Sequence, residues 1–106
     1  MTELHFHLVF DDVMVKQLRK AAKNNQIKQI LTKMLDKIEE SGPDAGKLLD
    51  SKLFIYEMKT MHPPIRLYFK HNLSTAEIYV FEFEIKTSES EQQKTIGKIR
   101  KKVSES

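Results

Sequence analysis

The chain contains no cysteine, so it has no disulfide framework and no thiolate metal or redox site. It also lacks any apolar run near the ~18 residues that a membrane-spanning helix needs, which argues against a membrane partner. Its opening residues, MTELHFHLVFDD, have neither the basic start nor the long apolar stretch of a secretion signal. A reduced, cytoplasmic setting is the expectation. No internal repeat, low-complexity tract or linker interrupts the pattern. What remains is 106 residues, 40% hydrophobic and 31% charged. That is the size and balance of one soluble domain with one core, spanning 1–106.

The formal net charge is +3 and the sequence pI about 9.1, which permits a polyanionic partner without requiring one. From Glu91 onward the chain holds Lys94, Lys98, Arg100, Lys101 and Lys102 against Glu91 and Glu105. This tail alone therefore accounts for the whole excess of positive charge.

Hydrophobic periodicity orders the elements. Leu4, Phe6, Leu8 and Phe10 alternate as a strand, and Asp11-Asp12 offers an N-cap. Met14, Leu18, Ala21 and Ala22 make the stripe of a short helix, interrupted at Asn24-Asn25. Ile27, Ile30, Leu31, Met34, Leu35 and Ile38 form a second stripe that should stop at Ser41-Gly42-Pro43. Residues 43–51 read as a loop. Three strands follow, Leu53–Lys59, Ile65–Lys70 and Glu77–Ile85, with a turn at His71–Ser74 between the last two. The last strand places Tyr79, Phe81, Phe83 and Ile85 on one face and Ile78, Val80, Glu82 and Glu84 on the other. Ser90 to Gln93 fits a capping box, and Ile96, Ile99 and Val103 give a final helix a narrow apolar edge. The order is β-α-α-β-β-β-α, an α+β fold: a small antiparallel meander with a helical hairpin on one face and a basic C-terminal helix. The other sheet face is expected to stay comparatively open.

Four stretches in succession carry a family resemblance: Lys47-Leu48-Leu49, LFIYEMK at Leu53–Lys59, PIRLYF at Pro64–Phe69 and FEFEIKT at Phe81–Thr87. In these, in element order and in length, the chain resembles the RelE/ParE superfamily, the toxin half of toxin–antitoxin pairs, and within it the RelE- and HigB-like branch. The resemblance implies a ribosome-associated endoribonuclease that inhibits translation. It would promote attack of a ribose 2′-hydroxyl on the adjacent phosphate of messenger RNA, without cofactor or metal. It also implies a cognate antitoxin, acidic or DNA-binding, that wraps the toxin and contacts or displaces its last helix. ParE-like members share the fold but poison DNA gyrase, and a degenerate member could bind without cutting.

On the residues that match the family pattern, Arg66 stands for the arginine of the middle strand. A guanidinium there would hold the scissile phosphate in a forked pair, unless it is simply paired with a nearby glutamate. Lys59 and Lys86 stand at basic positions and would supply charge but no fork. Thr87 replaces a second basic residue, and no tyrosine follows in the last helix, so the set is depleted. Tyr68 shares the face of Arg66 and could stack on a base. Glu57, Glu82 and Glu84 share that face too, either as a general base, for which Glu57 is the choice, or as cross-strand partners of the lysines and arginine. Lys70 adds charge to the row. Lys94, Lys98, Lys101 and Lys102 would meet ribosomal RNA or an acidic antitoxin segment, unless they are a merely solvated face. His5 and His7 alternate without a third metal ligand, His62 and His71 flank the Arg66 strand, and Asp44 precedes the second strand. None of these has a firm role. The reading requires Arg66 and Tyr68 to project together from an uncovered sheet face.

Overall fold

The computed structural model describes residues 5–105; Leu4, expected in the first strand, lies outside them. The elements are β1 (His7–Phe10), α1 (Asp12–Ala21), α2 (Asn25–Ser41), β2 (Lys47–Asp50), β3 (Ile55–Lys59), β4 (Ile65–Asn72), β5 (Glu77–Ile85) and α3 (Glu89–Glu105). The α+β class holds, with one strand more than alternation suggested. β2 lies inside the stretch that reads as a loop. It is only four residues long, and a register shift between Leu48 and Asp50 breaks its alternation. The strands form one sheet in the order β1-β5-β4-β3-β2. β2 to β5 are an antiparallel meander, and β1 pairs parallel with β5.

Helix ends follow side-chain chemistry. The Asp11 carboxylate accepts from Val13 N at 3.0 Å to cap α1. The Asn24 side chain accepts from Gln26 and Ile27 to cap α2. α2 stops at Gly42, whose φ is 61° and whose N–H bonds Ile38 O. A Cβ at that position would lie 2.5 Å from the Phe6 ring, so only glycine fits. The start of α3 departs from the expected capping box. Ser88, not Ser90, accepts from Glu91 N at 3.3 Å and donates to the Glu91 carboxylate at 3.1 Å.

The helical hairpin covers one sheet face. Met14, Leu31, Met34 and Ile38 pack there with Ile65, Leu67, Phe69, Ile78, Val80 and Phe83. A bulge in β5 determines which residues reach that core. Tyr68 pairs with Glu82 but Phe69 pairs with Val80, leaving Phe81 unpaired. The alternation changes phase at this point. Phe83 joins Ile78 and Val80 in the main core, while Tyr79 and Phe81 face the other way.

That other face is also closed, which corrects the expectation of an open one. α3 lies across it and buries Ile96 and Ile99 against Ile55, Tyr68 and Phe81, with Leu49, Leu53, Tyr79 and Val103 at the margin. The apolar edge of α3 is narrow, yet the aromatic side chains it meets make up the width. Tyr68, at the centre, has 0% exposure.

Candidate functional site

β4 places Arg66, Tyr68 and Lys70 on the face towards α3, and strand register fixes their neighbours. Arg66 lies opposite Lys59 of β3 and Glu84 of β5, and Tyr68 lies opposite Glu57 and Glu82. Residues so placed on one face have side chains within reach of each other. The row is divided by α3, with Tyr68 under the helix and Arg66 at its rim.

The Tyr68 hydroxyl donates to Glu84 Oε2 at 2.9 Å. Burial, then that hydrogen bond and the Glu84 charge, push the phenol above its ordinary pKa. Glu84 also accepts from the Thr95 hydroxyl of α3 and from Thr87 at 3.4 Å. Tyr68 is therefore a buried post that joins β4, β5 and α3. With α3 docked it can neither stack on a base nor reach a ligand, so its expected place on a free face beside Arg66 is corrected. The cause is the apolar closure by Ile96 and Ile99.

Arg66 Nη1 donates to Glu57 Oε1 at 2.6 Å, and the two side chains are 22% and 11% exposed. The alternative in which this arginine pairs with a glutamate is thus realised, in a short charge-assisted bond. Beside the pair opens a cleft of about 490 Å³ lined by Gly46, Lys47, Glu57, Lys59 and Arg66. Lys59 ends β3 and is exposed; Lys86 follows β5, exposed, with a φ of 54°. Neither lysine forms an ion pair among the described residues. Because β3 and β5 end where β4 begins, Lys59, Arg66 and Lys86 gather at one end of the sheet. Lys47, opposite Glu57 in register, joins Lys59 and Arg66 in the cleft. Sequence reasoning gave Lys47 no role; the only signal was its place in the Lys47-Leu48-Leu49 stretch. Asp44 is exposed in the short turn Gly42–Ala45 before the cleft.

The bases of α3 are mostly engaged within the molecule. Lys98 donates to Glu82 at 3.1 Å, Arg100 to Asp50 at 2.9 Å and Lys102 to Asp11 at 3.1 Å. Lys94 and Lys101 are exposed and form no ion pair among the described residues. Lys70 is structural as well, donating to Leu53 O at 2.9 Å with its ammonium 5.8 Å from the Phe54 ring centroid. Asp11 is the busiest anchor: besides capping α1 and receiving Lys102, it accepts from the Tyr79 hydroxyl at 2.7 Å. Burial alone would raise its pKa, but the bonds from Tyr79, Val13 and Lys102 outweigh burial and hold it low. Burial and then Asp11 push the Tyr79 phenol up to about 12. The Leu53 N–H foremost, with Arg100 and Lys52, holds the Asp50 carboxyl low. Glu82 is 5% exposed, and its Oε2 has no hydrogen-bond partner among the described residues.

The histidines do not converge. His5 Nδ1 lies 3.8 Å from Glu39 Oε1, His71 meets the Phe6 ring edge-on at 5.9 Å, and His62 is exposed before Pro63. Among the described residues no three His, Asp or Glu side chains come together as a metal site, and no helix is long and apolar enough to cross a membrane.

This α+β arrangement, a five-stranded sheet with a helical hairpin on one face and a single helix on the other, is similar to solved RelE toxin structures. The isolated E. coli RelE toxin matches with a TM-score of 0.67 at 21% identity, covering 89% of this chain and 98% of that one. The intact E. coli RelBE toxin–antitoxin complex matches at 0.65 and 23%, covering 78% and 99%. An E. coli RelE mutant in complex with an antitoxin RelB peptide matches at 0.54 and 23%, covering 86% and 93%. No family model matches the chain and no curated protein matches its sequence.

Proposed function

We propose that this chain is the toxin of a toxin–antitoxin pair and an endoribonuclease that cuts messenger RNA on the ribosome, in the cytoplasm, at the cleft beside β3 and β4. The observation that carries the reading is the Arg66–Glu57 pair set among Lys47 and Lys59 in an open cleft. The chemistry fits the residues. The Glu57 carboxylate accepts the proton of a ribose 2′-hydroxyl, the 2′-oxygen bonds to the adjacent phosphorus and the bond from phosphorus to the 5′-oxygen breaks. The leaving oxygen takes a proton from water. Arg66 and Lys59 offset the charge that develops on the non-bridging oxygens, and Lys86 adds to the field at that end of the sheet. Tyr68 acts by holding α3 and the β4–β5 pair in place.

The antitoxin in this reading engages α3. That helix is held by two buried isoleucines and three ion pairs to separate elements, so an acidic segment could compete for Lys98, Arg100 and Lys102. A non-cutting binding protein is the second reading, favoured by the burial of Tyr68 and by the neutralising grip of Glu57 on Arg66.

Expression without a partner tests both. Growth arrest with new message ends at ribosome-bound codons, both lost in Arg66→Ala, is the expected result. Arrest with intact messages and DNA damage would point to gyrase instead, and normal growth at high expression to the non-cutting protein.

A further inference from the structure

Between Val13 and Leu35 the chain carries Lys16, Arg19, Lys20, Lys23, Lys28 and Lys33 and not one acidic residue. This stretch is α1, the Asn24 junction and the first part of α2. All six bases are exposed, and none forms an ion pair among the described residues. Their outward placement follows from packing: Met14, Leu18, Ile27, Leu31, Met34 and Ile38 turn to the core, and the six bases fall at exposed positions between them. Lys16 and Lys20, four apart, share one side of α1, and Lys23 follows in the turn just beyond its end. On α2, Lys28 and Lys33 share a shallow depression of about 310 Å³ with Asn25, Gln29 and Thr32.

The contrast with α3 relocates the basic surface. The C-terminal helix contains the sequence's densest charge, yet Lys98, Arg100 and Lys102 are each tied to a carboxylate. The hairpin's charge is not offset in this way, and it lies on the opposite side of the sheet from α3.

The surface also shows what would recognise it. Among the described residues the exposed large apolar side chains are Leu48, Met61, Leu73 and Ile85, all outside α1 and α2. A protein partner would want buried aromatic or aliphatic anchors, and a membrane-surface helix would turn an apolar face outward. Here the apolar faces are already used. Cations interleaved with amide and hydroxyl side chains suit phosphate oxygens and ribose 2′-hydroxyls.

The geometry points to the outer face of the α1–α2 hairpin as a docking surface for the phosphate backbone of folded, helical RNA, separate from the cleft in which RNA is cut. This rests on the RNA-directed reading above and adds where the chain holds its non-substrate RNA.

The test uses the full chain carrying Arg66→Ala, which prevents cutting, and a labelled blunt RNA duplex titrated over a range of salt. Replacing Lys16, Lys20, Lys23, Lys28 and Lys33 by Gln should weaken duplex binding about tenfold or more near 0.1 M salt. The slope of log K against log salt should become shallower by about three units or more. A control with Lys52→Gln, an exposed base outside the hairpin, should bind as the parent does. If the five-fold variant melts early, the Lys16, Lys20 and Lys23 substitutions and the two α2 substitutions are tested separately, and each set should give part of the loss. Parental affinity and slope in the hairpin variants, equal loss in the control, or tighter binding to duplex DNA or to acidic vesicles would overturn the assignment. Cutting is scored apart, on ribosome-bound message with Arg66 intact; uncut message there sinks the nuclease reading and leaves the duplex comparison standing.

Discussion

Glu57 holds Arg66 at 2.6 Å although the residue opposite Arg66 in strand register is Lys59. The guanidinium therefore reaches diagonally along β3 and away from the like charge beside it. This leaves Lys59 free to turn to the cleft, and it fixes the Glu57 carboxylate, the proposed base, beside the cleft that both residues line.

Glu57→Gln separates the two roles of that carboxylate. It keeps the side chain's size and an acceptor for Arg66 but removes the base. Cleavage should fall roughly 10²–10⁴-fold, whereas stability should change by no more than about 1.5–3 kcal/mol, the range for one hydrogen bond to a charged group. Cleavage rates measured beside thermal melts decide the matter. A large loss of stability with unchanged cutting would make the pair purely structural.

Tyr68 gives the reverse expectation. Tyr68→Phe keeps the packing against Ile96 and Ile99 and deletes one hydrogen bond to a carboxylate that Thr95 still serves. A cost of about 1 kcal/mol follows. Tyr68→Ala also opens a cavity at a position with 0% exposure, and about 3–5 kcal/mol is expected. Melting midpoints of the two variants should differ by many degrees; equal midpoints would mean that α3 does not press on the ring.

The course of the chain was largely legible. Both helices of the hairpin, three of the meander strands and the final helix follow from apolar spacing, and Gly42 marks the end of α2 as its position suggests. Three things were hidden, and two of them come from β-bulges. The irregularity at Leu48–Asp50 disguised β2 as a loop, and with it the place of Lys47 in the cleft. The extra residue at Phe81 shifted β5 by one position, which turned both Tyr79 and Phe81 toward α3 and so prepared an aromatic bed there. Period-two reading assumes an unbroken pleat, and it cannot see a face change inside a strand. The destination of α3 was hidden for another reason. Its charge suggested an external polyanion, yet its partners Asp11, Asp50 and Glu82 are separated from it widely in sequence.

Gly42→Ala tests the other local constraint on the hairpin. The φ of 61° is costly for an L side chain, and the new methyl would press on the Phe6 ring. A loss of about 2 kcal/mol is expected, read in a denaturant melt. A neutral result would show that α2 can end in another conformation.

The pH dependence of α3 follows from its carboxylate anchors. Asp11 and Asp50 both have folded pKa values below the ordinary 3.8. A depressed value means that the stabilisation is present above the unfolded pKa and lost as pH falls through the folded one. The clasp should therefore be intact from neutral pH down to about 4 and release in stronger acid. Amide exchange in α3 against pH measures this. Release already between pH 7 and 5 would assign control to some other group.

The apolar half of the clasp makes the sharper prediction. Ile99 is fully buried against the sheet, and with Ile96 it supplies the buried apolar contacts of α3. Ile99→Ala should cost about 2–5 kcal/mol at that site. The rest of α3's attachment consists of ion pairs whose lysine and arginine side chains are 37–57% exposed, and pairs of that kind contribute little each. The helix should accordingly detach before the molecule unfolds. Hydrogen exchange would then rise at Ile96, Gly97 and Ile99 while the amides of Leu67 and Val80, between β4 and β5, keep their protection. Uniform acceleration through helix and sheet would mean that α3 melts only with the whole domain, and a partner could then not lift it alone.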